Sequence, residues 1–170
     1  MTGLRLIPLT EADRGRFVEE ELANYADQQV RDAGWPQEEA LDRARVELMP
    51  TIERELDDAA EKGHQVWSAI GPDARPVGWL WVKPSDEANE RSAYLYQITV
   101  AANHRRQGYG SAMLAALEEV LARGDVDELH LHVNIANEPG RRMYASAGYE
   151  QVGRDERVYH LRKRLAASPT

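Results

Sequence analysis

Residues 100–111 read Val100-Ala101-Ala102-Asn103-His104-Arg105-Arg106-Gln107-Gly108-Tyr109-Gly110-Ser111. A strand-like aromatic and β-branched stretch, residues 94–100, runs directly into this basic, glycine-containing loop. The loop opens into residues 108–123. There Met113, Leu114, Leu117, Val120 and Leu121 recur at helical spacing, with Glu118 and Glu119 on the water side. The first amides of such a helix have no partner inside it. Together with the helix dipole they form a seat for an anion. Gly108 and Gly110 carry no Cβ, so a phosphate could approach the backbone, and Arg105 and Arg106 could neutralise it. A P-loop needs a lysine that is absent here, and a dinucleotide fingerprint needs a third glycine where Met113 stands. A structural strand–helix turn would also use glycines at these places.

Outward from the loop, the periodicity alternates between strand and helix. Residues 65–70 and 77–82 read as a hairpin around the turn chemistry of residues 71–76, and residues 128–133, 149–154 and 157–165 read as further strands. Residues 139–147 form a short helix. Near the start, residues 3–9 read as a strand whose Pro8 suits an edge, and Thr10 caps a helix that ends at Gly34-Trp35-Pro36. A second helix starts at Pro36 and presents Leu41, Ala44, Val46 and Leu48. Pro50 is expected to kink or break it before a last segment over residues 51–62. This is one α+β domain over residues 1–170, with an N-terminal strand and helices in 1–62 and a sheet core in 63–165.

Of the 170 residues, 42% are apolar and 29% charged, as in a globular domain. No stretch approaches the ~18 apolar residues of a membrane span, and no secretory signal opens the chain, so a cytoplasmic, membrane-free protein is expected. The absence of cysteine excludes disulfides, thiolate metal sites and a protein-bound thioester. His130 and His132 are spaced like ligands, but no carboxylate or third histidine lies near them in sequence, so no metal is expected. The net charge of −8 argues against a nucleic-acid partner. Residues 1–62 hold 8 Lys and Arg against 16 Asp and Glu, while the remainder holds 13 of each. The acidic excess is either a solvated helical surface or a field that draws a cationic substrate.

The loop fits the pattern Arg/Gln-x-x-Gly-x-Gly/Ala. It is followed by residues 129–149, with Asn134-x-x-Asn137, then Met143-Tyr144 and Gly148-Tyr149. In this order and context the two motifs resemble the GCN5-related N-acetyltransferase (GNAT) superfamily over residues 63–160. The resemblance implies a three-layer α/β arrangement within the α+β class. Its sheet would be mixed and mostly antiparallel, of about six to seven strands, splayed between the fourth and fifth, with helices on both faces. It implies acetyl-CoA (coenzyme A) as cofactor. Backbone at Ile98 and Val100 would pair with the pantetheine arm. The amides of Arg106, Gln107, Gly108, Tyr109, Gly110 and Ser111 would hold the pyrophosphate, assisted by Arg105. Asn137 would contact the arm and cap the next helix, with Asn134 a lesser candidate.

By the same resemblance Tyr144 is the expected general acid for the departing thiolate, or else a residue that packs the cleft. The fourth strand offers no acid as base, because Gln97 stands where some relatives carry Asp or Glu. His132, on the fifth strand, is the candidate base, unless it is simply an exposed strand histidine. His130 shares its face, and Glu87 and Glu90 are lesser candidates. Trp79, Trp81, Tyr94 and Tyr96 are expected to pack the core and partly to line the acceptor site, with Gln97 beside them and Trp35 closing over it. The expected activity is direct transfer of an acetyl group to a primary amine of a small molecule by a monomer or homodimer. The alternatives are acetylation of a protein or peptide amine, and a non-catalytic acyl-CoA-binding module.

Overall fold

A computed structural model describes residues 3–84 and 91–166. The chain divides into two compact units. One is Leu9–Gly63, and the other joins Met1–Pro8 to His64–Thr170.

The first unit pairs α1 (Glu11–Ala33) with α2 (Gln37–Ala59). Thr10 caps α1, its hydroxyl oxygen accepting from the Asp13 amide at 3.2 Å, and Gly34 ends it in the left-handed region at φ 70°. Phe17, Leu22 and Ala26 are buried on α1, and Ala40, Ala44 and Ile52 on α2. Arg14–Asp57 (2.5 Å) and Arg45–Glu19 (2.7 Å) bridge the helices antiparallel to one another. The expected break at Pro50 does not occur, and α2 runs through it. Pro50 and Val46 are both exposed, so the Val46 carbonyl that Pro50 cannot bond belongs to the solvent side of α2, where a missing helical bond is tolerated. Val46 itself is 79% exposed and Leu41 40%, so the buried face is the one carrying Ala40 and Ala44.

The second unit is a seven-stranded sheet among the described residues, in the order β1-β2-β3-β4-β5-β7-β6. The strands are β1 (Arg5–Pro8), β2 (Gln65–Ile70), β3 (Pro76–Pro84), β4 (Ser92–Val100), β5 (Glu128–Asn134), β6 (Glu150–Arg154) and β7 (Val158–Arg164). Neighbours are antiparallel except β4 and β5, which are parallel. Their crossover contains α3 (Tyr109–Arg123), and α4 (Glu138–Ser146) follows β5. The mixed, mostly antiparallel sheet is the class expected from the sequence, and Pro8 lies on an edge strand.

Two features of β4 position everything else. Val82 pairs with Leu95, whereas Trp81 pairs with Gln97, so Tyr96 is an extra residue, a β-bulge. The bulge reverses the side-chain alternation. Ala93 and Leu95 before it, and Ile98 and Val100 after it, all join the core that contains Met113, Leu114 and Leu117 of α3. The second feature is the ladder to β5. It begins at Ser92↔Glu128 and ends at Leu95↔Leu131, although both strands continue. This is the splay expected between the fourth and fifth strands.

Two surface assignments change. Val120 is 40% exposed, and Glu118 is half-buried, accepting from Lys163 Nζ of β7 at 2.5 Å. No helix of the described residues is long and apolar enough to cross a membrane.

Gly78 shows how closely α3 is seated. A Cβ there would lie 2.2 Å from the Thr99 carbonyl oxygen and 2.8 Å from Met113 Cε. Gly78→Ala is expected to destabilise the protein by about 1–3 kcal/mol, as overpacking does, in urea unfolding followed by circular dichroism.

Candidate active site

The loop after β4 folds back on the strand that it leaves. A 3-10 turn, Ala102–His104, begins it, and Arg105 Nε donates to the Val100 carbonyl at 3.1 Å. Arg106 is left-handed at φ 60°, and Gln107 Nε2 donates to the Asn103 carbonyl at 3.2 Å. Gly108, at φ 82°, occupies the N-cap of α3 without a side-chain cap. The first helical bond there is donated by Ala112 to Gly108, so the amides of Tyr109, Gly110 and Ser111 precede the ladder. Arg105, Arg106 and Ser111 are exposed beside them. An amide-lined, positively charged turn of this kind fits a pyrophosphate.

The glycines have reasons of their own. Gly108 supplies the left-handed turn. A Cβ at Gly110 would meet Met143 Sδ of α4 at 2.9 Å, so this glycine lets α4 approach α3. The two asparagines are also partly spent on local structure. Asn134 Oδ1 accepts from the Ala136 amide at 2.8 Å, and Asn137 Oδ1 caps α4 from the Gly140 amide at 3.0 Å.

Tyr144, on α4, is 7% exposed and stacks edge-on against Tyr149 at 5.6 Å. Burial, reinforced by Tyr94, pushes its pKa up to about 12, so it keeps its proton. Burial raises Tyr149 as well, and the nearby Glu118 carboxylate adds to it.

His132 lies across the splay and is exposed. Its ring meets Tyr94 edge-on at 5.2 Å and His160 of β7 at 4.1 Å. Partial burial lowers its pKa, the His160 ring lowers it further, and Asp155 opposes them. The ring is therefore mostly neutral at pH 7. Tyr94 connects the two candidates. Its phenol oxygen accepts from the His132 backbone amide, and it interacts electrostatically with Tyr144. Burial raises the Tyr94 pKa, with the amide working against it.

The structure thus gathers Tyr94, His132 and Tyr144, and adds His160 and Asp155, which sequence reasoning did not single out. His130 turns to Glu128, with Nε2 and Oε2 3.3 Å apart. Gln97 Nε2 donates to Thr99 Oγ1 at 3.4 Å. Tyr96 is 40% exposed, clamped by Trp81 at 5.5 Å and by Lys83 Nζ 3.6 Å from its ring centroid. Trp79 and Trp81 are each only 2% exposed, so within this group the surface belongs to Tyr94 and Tyr96. Trp35 belongs to the helical unit, against Tyr25 at 5.9 Å and Arg43 at 5.6 Å. Glu87 and Glu90 lie outside the described residues. Among the described residues, no group of three or more His, Asp and Glu could hold a metal ion.

The profile of the acetyltransferase (GNAT) family matches residues 27–149, and the chain belongs to that family. It is a GNAT acetyltransferase, and acetyl-CoA is the cosubstrate of the family. The chain is 24% identical over 149 residues to the N-acetyltransferase YycN of Bacillus subtilis, covering 88% of this chain and 94% of that one. The crystal structure of YycN superposes with a TM-score of 0.69, covering 89% of this chain and 95% of YycN. The PaiA N-acetyltransferase of Thermoplasma acidophilum in complex with coenzyme A gives 0.71 at 14% identity, covering 96% and 99% of the two chains. The spermidine N-acetyltransferase of Vibrio cholerae, in complex with CoA and spermine, gives 0.70 at 18% identity, covering 98% of each.

Two outcomes follow for stability. Asn137→Ala removes the α4 cap and is expected to cost about 1 kcal/mol in urea unfolding, whereas Asn137→Asp keeps most of it. The native state holds the Tyr144 proton more tightly than the unfolded chain does. Its contribution is full below about pH 10 and is lost as pH rises toward the folded value. Unfolding midpoints should therefore fall above that pH, and less steeply in Tyr144→Phe.

Proposed function

We propose that the protein transfers the acetyl group of acetyl-CoA directly to a primary amine of a small molecule. The observation that carries this reading is the open ladder between β4 and β5, with the Tyr94 and His132 rings meeting at 5.2 Å beside it. Acetyl-CoA would supply the activated thioester. The amides of Arg106 through Ser111 would receive its pyrophosphate, and the side of β4 around Ile98 and Val100 that the β5 ladder does not reach would receive its pantetheine arm.

His132, neutral and exposed, accepts the proton that an ammonium must lose before attack. Tyr144 presents its O–H to the leaving sulfur. The burial that keeps this proton in place also makes the phenol a weak acid. Its first contribution is therefore a hydrogen bond that strengthens as thiolate charge develops. A backbone amide of open β4 polarises the carbonyl. Gln97, Tyr94 and Tyr96 line the acceptor side.

The similarity of the spermidine N-acetyltransferase over nearly the whole of both chains supports a small amine. The entire acidic excess lies in residues 1–62, and such a field attracts cations, a small amine and a basic peptide alike.

The test is a thermal-shift titration with acetyl-CoA, followed by thiol release over amines and short peptides. Acetyl-CoA at a hundred times its Kd should stabilise the protein by about 2.7 kcal/mol. Turnover of free amines without peptides is expected. The reverse pattern would establish a peptide acetyltransferase, and binding without turnover an acyl-CoA-binding module. In Tyr144→Phe, kcat should fall roughly 10²-fold or more, with a smaller change in KM for acetyl-CoA.

A further inference from the structure

His132 does not stand alone on its side of the sheet. β5 and β7 pair His132 with His160, and the two rings meet edge to face with centroids 4.1 Å apart. His160 in turn donates from Nε2 to Asp155 Oδ2 at 2.7 Å. Asp155 occupies the turn between β6 and β7, where its own amide donates to the Val158 carbonyl at 2.9 Å. The other side of the His160 ring is fitted to Gly153 of β6. A Cβ on Gly153 would lie 3.3 Å from His160 Cδ2 and 3.4 Å from its Cβ. The ring is thus held by a carboxylate, a glycine-sized gap and a second imidazole.

We propose that Asp155 and His160 are a positioning pair for His132. The carboxylate fixes which nitrogen of His160 carries its hydrogen and how that ring stands, and the His160 ring in turn sets the surroundings of His132, the ring that faces the acceptor.

The inference rests on the reading of His132 as the base. Two imidazoles in contact resist carrying two positive charges, so the His160 ring works against a charge on His132. A carboxylate has only acceptor oxygens, so the hydrogen bond places the His160 hydrogen on Nε2 and holds the ring in its orientation. The same carboxylate favours a charge on His132, an effect smaller than that of the His160 ring. Among the described residues, the other groups facing His132 do not offset the His160 contact. Tyr94 from β4 presents a neutral phenol, and Tyr144 from α4 packs on Tyr149 and interacts electrostatically with Tyr94. On β5, His130 is turned to Glu128. On β7, Arg162 pairs with His130 and also lies 3.9 Å from Glu128. Among the described residues, Asp155 bonds to His160 and Val158, and the His160 ring meets Gly153 and His132, so the pair acts through His132.

The test combines two readouts on the full chain. The His132 ring is followed by ¹H–¹³C NMR titration in the wild type, Asp155→Asn, Asp155→Glu and His160→Gln. In parallel, kcat/KM is measured against pH with the best amine of the panel. His160→Gln removes the ring that lowers the His132 pKa and should raise its midpoint by roughly half a pH unit or more, whereas Asp155→Asn removes the carboxylate that raises it and should lower it, and the acidic limb of kcat/KM should move the same way in each. Asp155→Glu should keep both near wild type. An unmoved His132 midpoint in both Asp155→Asn and His160→Gln overturns the pair, even with acetyl transfer intact. A moved midpoint in a protein that acetylates nothing leaves the pairing standing and removes the catalytic reading beneath it.

Discussion

Tyr96 is one residue more than β3 can match, and the rest of the site depends on that mismatch. A strand in strict alternation would carry Leu95, Gln97 and Thr99 on one face. The α3 side of β4 would then begin apolar and end polar. The bulge resets the alternation, so Ile98 and Val100 enter the core and Gln97 and Thr99 leave it. A bulge also bends its strand and interrupts pairing. The ladder to β5 stops at Leu95↔Leu131, one residue short of it. The extra residue is held in place, with its ring between Trp81 and the Lys83 ammonium. One local irregularity therefore closes the core under α3 and opens the gap beside it.

Within the gap, the same force acts on two groups with opposite results. Burial disfavours whichever form is charged. For Tyr144 that form is the phenolate, so the proton stays. For His132 it is the imidazolium, so the proton leaves. A donor and an acceptor, both neutral, result from a single physical term, with neighbouring rings adding to each. Tyr94 makes this arrangement compatible with an open ladder. Its phenol accepts from the His132 amide, which the separated strands leave without a ladder partner on that side.

Much of this was legible in the sequence because the signals are local. Periodicity and flanking glycines located α3, and Asn137 marked the start of α4 by its capping chemistry. The paired motifs pointed to the splay. What was not legible depends on partners distant in the chain. Nothing near Tyr96 announces a bulge, since only the register with β3 defines it. His160 and Asp155 reach His132 only because β7 returns beside β5. Glu118 reads as a solvent-facing residue of an amphipathic helix until Lys163 is brought to it. Pro50 reads as a break because sequence does not say which way the lost bond faces. It faces water, and the helix continues.

The outer strands of the sheet give the interior gap a further meaning. A sheet edge is a template for another extended chain, and folded proteins commonly blunt it. β1 is short and ends in Pro8, which has no N–H to give. β6 pairs irregularly with β7 around Val152 and presents charged Glu150 and Arg154. Both rims thus discourage strand addition. Among the described residues, the sheet also opens between β4 and β5, where an extended chain that entered would be flanked by strands on both sides. Under the proposed function, recognition would take place at the centre of the sheet while its margins discourage accidental partners, which separates recognition from aggregation within a single layer of strands.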